Sequence, residues 1–322
     1  MQQLICRIAL GALCSIATAV ACAQYPNKSV KVIVPYPAGG SIDMVARVVA
    51  EKLTEKWKQP VVVDNKPGAT GVIGTQALIA SAPDGYTLML HATAGLTVYQ
   101  ALAKAPVYDT LKDLTPISPA SYSPLILLVN RSVPVDSVQG LIDYIKANPG
   151  KLSYSTAGIG AVNHVGMELF KRRTGTDIAH VPYKGDSPAI PDLINGNVTM
   201  SFMSASLAIP QIRAGKLKGL AVTSRTRNES IPELPTMIEA GMPNFELRAW
   251  NAFVGPAGLP RDLVARINQS LVEISADPAV RARFAELGLV ADSSTPEALV
   301  ERIRAEIEDW RAVVKGAKIV AE

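Results

Sequence analysis

The sequence is short of thiols: its three cysteines, Cys6, Cys14 and Cys22, all precede Gln24. Disulfides, zinc–thiolate centres and cysteine nucleophiles are therefore excluded from the remainder of the chain. Histidine is equally scarce. His91, His164 and His180 have no metal-ligand spacing and no evident triad partners, and no G-x-S-x-G elbow appears. Charge of one sign is missing too, because 32 basic residues stand against 28 acidic ones and the basic ones are dispersed. A formal charge of +4 so distributed leaves no nucleic-acid footprint. Long apolar runs are absent after the first residues, and the one at Ile8 to Val20 is shorter than the roughly 20 residues needed to span a bilayer.

That first run reads as an export signal. Arg7 supplies the positive region, Ile8 to Val20 the apolar core, and Ala21-Cys22-Ala23 an A-x-A cleavage site. Residues 1–23 would be removed and the mature chain would begin near Gln24, in the periplasm. Lipoprotein processing at Cys22 is the second reading, since the usual leucine three positions earlier is lacking. About 300 mature residues exceed what one core comfortably serves, so two medium domains are expected.

Short Val/Ile/Leu-rich runs alternate with stretches of helical periodicity, the pattern of β–α–β units. The first half predicts strands at 29–34, 61–64 and 87–91, with helices at 41–57 and 71–81. The second half predicts strands at 152–155, 179–181, 198–202 and 219–222, with helices at 137–147, 161–174, 188–195 and 205–214. Two extended segments, Leu114 to Val129 and Phe245 to Val254, read as crossings between the units, the first too rich in proline for a helix. Helices at 261–276, 278–287 and 296–314 should return to the first domain. The expected division is 24–123 plus 250–322 for domain I and 124–249 for domain II.

Two strand-to-helix turns carry the functional signal. Val34-Pro35-Tyr36-Pro37-Ala38-Gly39-Gly40-Ser41-Ile42-Asp43 is one, and Tyr154-Ser155-Thr156-Ala157-Gly158-Ile159-Gly160-Ala161-Val162-Asn163-His164 is the other. A tight turn leaves the first helical N–H groups without backbone partners and aims them, with the positive end of the helix dipole, beyond the sheet edge. Such a place prefers an anion, and two of them suggest a clamp for a small carboxylate. An isolated Gly39-Gly40 pair would mean only a tight turn; the pairing with a second turn favours binding.

With Val61-Val62-Val63-Asp64-Asn65-Lys66-Pro67-Gly68, Ala82-Pro83-Asp84-Gly85-Tyr86-Thr87, Val181-Pro182-Tyr183-Lys184-Gly185 and Leu234-Pro235-Thr236, these turns form an ordered series across the mature chain. The series resembles the solute-binding proteins of tripartite tricarboxylate transporters, the Bug or TctC-like family. That resemblance implies an α/β, periplasmic-binding-protein-like fold in which two α/β domains joined by two crossing strands close on a ligand cleft. It also implies a small carboxylate as cargo, no cofactor, no metal, no catalysis, and delivery to membrane components of a transporter by a protein expected to be monomeric. A receptor for a sensor kinase is the alternative within the binding class.

By that resemblance the ligand carboxylate meets main-chain donors from Ala38 to Ser41, walled by Tyr36 and Pro37, and from Gly160 and Ala161. Asp43, Asn163 and His164 are implied supports of the turns. Family members usually carry Ser or Thr where Ala161 stands, a loss of roughly 1.5–3 kcal/mol that Asn163 or a water would have to offset. Rim selectivity is assigned to Thr93, Ala94, Ser121, Tyr183, Met203 and Ser204, with plain packing the equal reading for Met203. Its neutrality favours an aliphatic or aromatic mono- or dicarboxylate over an amino acid.

An enzyme reading rests on Gly68-Ala69-Thr70-Gly71-Val72-Ile73-Gly74, which looks like a dinucleotide fingerprint, and on Tyr108-x-x-x-Lys112. Asn65-Lys66-Pro67 separates those glycines from the strand, and the Tyr–Lys spacing falls in a loop-like stretch, so a short-chain dehydrogenase is disfavoured.

Overall fold

The computed structural model describes residues 25–317 apart from Lys184. The segment read as an export signal, with Cys6, Cys14 and Cys22, lies outside them. In the first lobe β1 (Val30–Val34), β2 (Val61–Asn65) and β3 (Thr87–Ala92) run parallel, with β1 between the other two. Helix α1 (Ser41–Trp57) links β1 to β2, and its recurring apolar positions Val45, Ala46, Val49 and Leu53 are buried. Helix α2 (Val72–Ile79) links β2 to β3. Beyond β3 the chain winds through a π-helical turn at Ala94–Val98 into the short α3 (Tyr99–Leu102). The four-residue α4 (Thr110–Asp113) follows, capped by Asp109, whose carboxylate accepts from the Leu111 and Lys112 N–H groups.

The proline-rich segment is one long strand, β4 (Leu114–Asn130). Proline cannot donate to a ladder, and register shifts at Pro116/Ser118 and Pro119/Ser121 accommodate it. Residues 114–124 pair antiparallel with β9 (Arg248–Pro256), whereas Leu125 onward pairs with β7 (Met200–Ser204) and β8 (Leu217–Val222). β4 thus leaves one lobe and enters the other without a break.

The second lobe comprises α5 (Val138–Ala147), β5 (Ser153–Thr156), α6 (Val162–Thr174), β6 (Ala179–Pro182), α7 (Ile190–Asn195), β7, α8 (Ala205–Arg213) and β8. The strand order is β2-β1-β3-β9-β4 in the first lobe and β4-β7-β5-β6 in the second. After β9 come α9 (Arg261–Ala276), α10 (Pro278–Glu286), the two-residue β10 (Val290–Ala291), which pairs with β4, and α11 (Pro296–Ala317). In α11 the hydroxyl of Thr295 accepts from the Ala298 N–H, as its place before Pro296 predicts.

Each lobe has its own apolar core. In the second, the Phe170 ring meets Phe202 and Phe245 edge-on at 6.3 and 6.4 Å, and Phe202 stacks on Phe245 at 5.7 Å. Burying each such ring contributes about 2–3 kcal/mol. In the first, Val32, Leu53, Phe253 and Phe284 fill one face of the sheet, and Ile33, Met89 and Ile303 the other. The expected return of all C-terminal helices to the first lobe needs correction for α11. Its Leu299, Ile303 and Ile307 pack on the first lobe, but Trp310 and Val313 join the core of the second. A 22-residue helix is about 33 Å long, enough to bridge the two.

Candidate ligand clamp

Strand directions place both glycine-rich turns at the crossing. β3 is antiparallel to β9, and β9 to the first part of β4, so β1 and β3 point the way β4 runs, toward the second lobe. β7 is antiparallel to the last part of β4 and β5 is parallel to β7, so both point back toward the first lobe. The carboxyl ends of β1 and β5, from which the turns spring, therefore approach the crossing from opposite sides. This is the crevice where open α/β sheets hold ligands.

At the first turn Gly39 adopts φ 82°, a left-handed conformation that suits glycine, and Gly40 is the N-cap of α1. The Gly39 N–H donates to the Asp43 carboxylate at 2.9 Å, and Arg47 Nε and Asn65 Nδ2 donate to the same group at 2.9 Å each. Burial pushes the Asp43 pKa upward, but these donors outweigh it and hold the carboxyl below its usual range. The first intrahelical bond runs from the Met44 N–H to the Gly40 carbonyl, and among the described residues nothing accepts from the Gly40 or Ser41 N–H. Pro37, Ala38 and Ser41 are exposed; Tyr36 is half-buried, its hydroxyl 3.2 Å from His91 Nδ1.

At the second turn Gly160 has φ 77° and Ala161 is the N-cap of α6, with no side-chain cap. The Gly160 N–H donates to His164 Nδ1 at 3.1 Å, and the Ala161 N–H to the Gly158 carbonyl at 3.2 Å. Both amides assigned to the ligand from sequence are thus engaged internally, and the unengaged donors are those of the helix start that follows. His164 stacks on His180 at 4.1 Å, and His180 on Tyr154 at 4.8 Å. Burial lowers the pKa of both histidines, His180 to about 4, helped by the neighbouring His164, so the imidazole that accepts from Gly160 is neutral.

Asn163 is locked. Its Oδ1 accepts from the Ala157 N–H at 3.2 Å, and its Nδ2 donates to Asp186 at 2.7 Å and to the Phe202 carbonyl at 3.1 Å. It therefore has no free group to replace the hydroxyl missing at Ala161, which corrects that expectation. The sequence does not mark Asp186, which lies two positions before the helix expected at 188–195. Here its side chain makes no cap bond and turns to Asn163 instead.

Most rim candidates are committed elsewhere. Thr93 is buried and its hydroxyl bridges the Trp250 backbone, donating to the carbonyl at 2.7 Å and accepting from the N–H at 2.9 Å. Ser121 is buried against Asn251, whose Nδ2 donates to it at 3.0 Å. The Tyr183 hydroxyl donates to Asp192 at 2.6 Å within the second lobe. Met203 is fully buried in an apolar cluster with Ile126 and Leu128, which is the packing reading. Ala94 and Ser204 are half-buried, Ser204 Oγ lying 3.3 Å from Ser206 Oγ.

The supposed dinucleotide glycines have a packing reason. A Cβ on Gly71 would lie 2.9 Å from His91 Cε1, and one on Gly74 would lie 2.7 Å from Pro35 Cβ. Tyr108 is buried and donates to the Gly95 carbonyl at 2.8 Å, while Lys112 is exposed, so the Y-x-x-x-K spacing forms no catalytic pair. Among the described residues no three His, Cys, Asp or Glu side chains group as a metal site, and no helix is long and apolar enough to cross a membrane.

Two α/β lobes joined by crossing strands, with a glycine-rich helix start in each on the side of the crossing, define a periplasmic-binding-like solute-binding architecture. The chain belongs to the tripartite tricarboxylate transporter receptor family, whose model matches residues 45–319. It is 39% identical to Protein BugT of Bordetella pertussis over 96% of this chain and 95% of that protein. Among solved structures it is similar to Rhodopseudomonas palustris Rpa4515 with adipate, with TM-score 0.78 and 32% identity over 92% of this chain and 99% of that one. It is also similar to MatC of the same organism with bound malate, with TM-score 0.73 and 29% identity over 90% and 100%. It is similar too to the periplasmic binding protein BugD, with TM-score 0.74 and 34% identity over 92% of this chain and 100% of that one.

Proposed function

We propose that the chain is an exported receptor that captures a small mono- or dicarboxylate between its lobes by domain closure and delivers it to the membrane components of a tripartite tricarboxylate-type transporter. The observation that carries the reading is the approach of two glycine-rich helix starts to the crossing from opposite lobes. Desolvated N–H groups at Gly40, Ser41 and the start of α6 would hold the proximal carboxylate, each charge-assisted bond contributing about 1.5–3 kcal/mol. Tyr36 and Pro37 would wall the first lobe's side. Adipate and malate in the structural neighbours support a carboxylate as cargo.

Domain I would comprise 24–123 and 250–322 and domain II 124–249, with the hinge at Pro124/Leu125 and at the start of β9, and with α11 bridging both. Closure would act as a population shift, the ligand favouring the state in which both turns reach it. The mature receptor would be a periplasmic monomer that performs no chemistry.

A thermal-shift screen of the mature protein against mono- and dicarboxylates, amino acids and nicotinamide cofactors tests this. A ligand at about 100 times its dissociation constant adds about 2.7 kcal/mol, so a cargo raises the midpoint clearly. Selective stabilisation by one carboxylate class is the expected result. Response to nicotinamide cofactors alone would refute the receptor reading.

A further inference from the structure

A cavity of about 620 Å³ lies beside the crossing, apart from the glycine-rich turns. One wall is α6, with Arg172 and Arg173; the other is α11, with Arg302 and Asp309; between them lie Glu246 and Arg248 at the entry to β9. Arg225 completes a set of five guanidinium groups against three carboxylates, the third being Glu306. Glu246 serves two of the arginines, accepting from Arg225 Nε at 2.6 Å with its other oxygen 2.6 Å from Arg248. Arg302 pairs with Asp292 at 2.9 Å. Arg172 and Arg173 make their described bonds to carbonyl oxygens, of Ala312 at 3.1 Å and Pro243 at 3.0 Å.

A guanidinium that spends one N–H on a carbonyl keeps the rest of its five donors, and its fork matches a carboxylate. Glu306 carries only part of a negative charge near neutral pH, since burial raises its pKa to about 7. Five guanidinium groups against Glu246, Asp309, a partly charged Glu306 and Asp292, the partner of Arg302, still leave the cavity electropositive on balance. Its shape decides what can use it: the guanidinium groups line a groove between two helices, which an extended chain can enter and a flat bilayer cannot. α6 belongs to the second lobe, while α11 packs on that lobe through Trp310 and Val313 and on the first through Leu299, Ile303 and Ile307, so the groove lies along the helix that bridges the two.

We propose that this arginine-lined groove is a docking site for an acidic segment of a partner protein. Only the choice of a transporter component as that partner rests on the receptor reading; the docking itself does not. Such a segment would contact the second lobe and the bridging helix α11 together.

The test uses a fluorescein-labelled oligoglutamate peptide and the mature protein without cargo, read by fluorescence anisotropy at low and high salt. Wild type should bind, more weakly as salt rises. R172E/R173E should weaken binding by about tenfold or more, and R172Q/R173Q by less, each with an unchanged melting midpoint. K146E/K151E alters the net charge equally on exposed lysines in and just beyond α5 and should bind like wild type. The neutral pair keeps the test valid if the reversed pair melts early. Equal loss in the lysine pair would show a mere net-charge effect and overturn the proposal. So would arginine-dependent binding to phosphatidylglycerol vesicles without peptide binding, or citrate occupying the groove as tightly as the peptide.

Discussion

Asn163 Nδ2 donates to the Asp186 carboxylate at 2.7 Å, and that bond ties the second glycine-rich turn to the loop after β6. Through its Oδ1 the same amide holds the Ala157 N–H, so one side chain fixes the turn on both flanks. Removing it should release the turn. Asn163→Ala should lower carboxylate affinity about tenfold, seen by calorimetry. Unchanged affinity would show that the turn does not take part.

Asp186 carries a sign of its own. Burial raises its pKa to about 6, above the usual carboxylate range. An acid whose pKa is raised on folding holds its proton more tightly in the folded state. Its contribution to stability is therefore full below its ordinary value and lost as pH rises to about 6. The charge that appears there lies beside a clamp proposed for an anion. Cargo affinity in wild type should fall between pH 5 and 7, while Asp186→Asn should give a flatter profile. A wild-type profile that rises over this interval would contradict the assignment.

Ala161 leaves α6 without a side-chain cap. Ala161→Ser should stabilise the protein by about 1 kcal/mol through an N-cap bond, and it offers the ligand a hydroxyl as well. A thermal melt and a titration with the confirmed cargo check the two effects separately. A lower midpoint would mean that the turn cannot accept the hydroxyl.

His91 is enclosed, and burial lowers its pKa to about 3. Its Nδ1 accepts from the Ala92 N–H at 2.9 Å with the Tyr36 hydroxyl at 3.2 Å, and Nε2 lies 3.1 Å from Thr75 Oγ1. A Cβ on Gly95 would stand 1.9 Å from the ring. Gly95→Ala should therefore destabilise the fold by about 1–3 kcal/mol or more and shift Tyr36 at the first turn. Denaturant melts measure the first effect. A wild-type midpoint would mean that the ring has room to move.

Glu306 links α11 to the crossing, accepting from Trp250 Nε1 at 2.8 Å, with the Thr97 hydroxyl 3.3 Å from its other oxygen. Burial raises its pKa to about 7, the indole bond and Arg302 only partly opposing. Its stabilising contribution should be full below about pH 4.5 and decline as pH rises to 7. Glu306→Gln should remove that decline, so the variant's stability relative to wild type should improve across the interval. The histidines act oppositely in both proteins and cancel in the comparison. Parallel curves would exclude a titrating Glu306.

Much of the architecture was legible because its signals are local. The stripe Val45, Ala46, Val49 and Leu53 and the cap Thr295 each act within a turn or two of helix. Prolines at 116, 119 and 124 marked an extended crossing for the same reason, although the change of partners at Leu125 did not show in the sequence. The π-helical turn after β3 is not marked in the sequence, because Ala-Gly-Leu-Thr-Val is too short to show a helical period and its glycine reads as a break.

The sequence by itself determined two α/β units, the two glycine-rich turns and membership in a receptor family, since periodicity and backbone freedom are properties of neighbouring residues. Tertiary structure alone decided which of the candidate binding groups are left free. Thr93 is occupied by Trp250, Ser121 by Asn251 and Asn163 by Asp186, partners 157, 130 and 23 positions away. A polar side chain serves whichever partner the fold delivers to it, because leaving it buried and unpaired costs about 1–3 kcal/mol. No local pattern records who that partner will be.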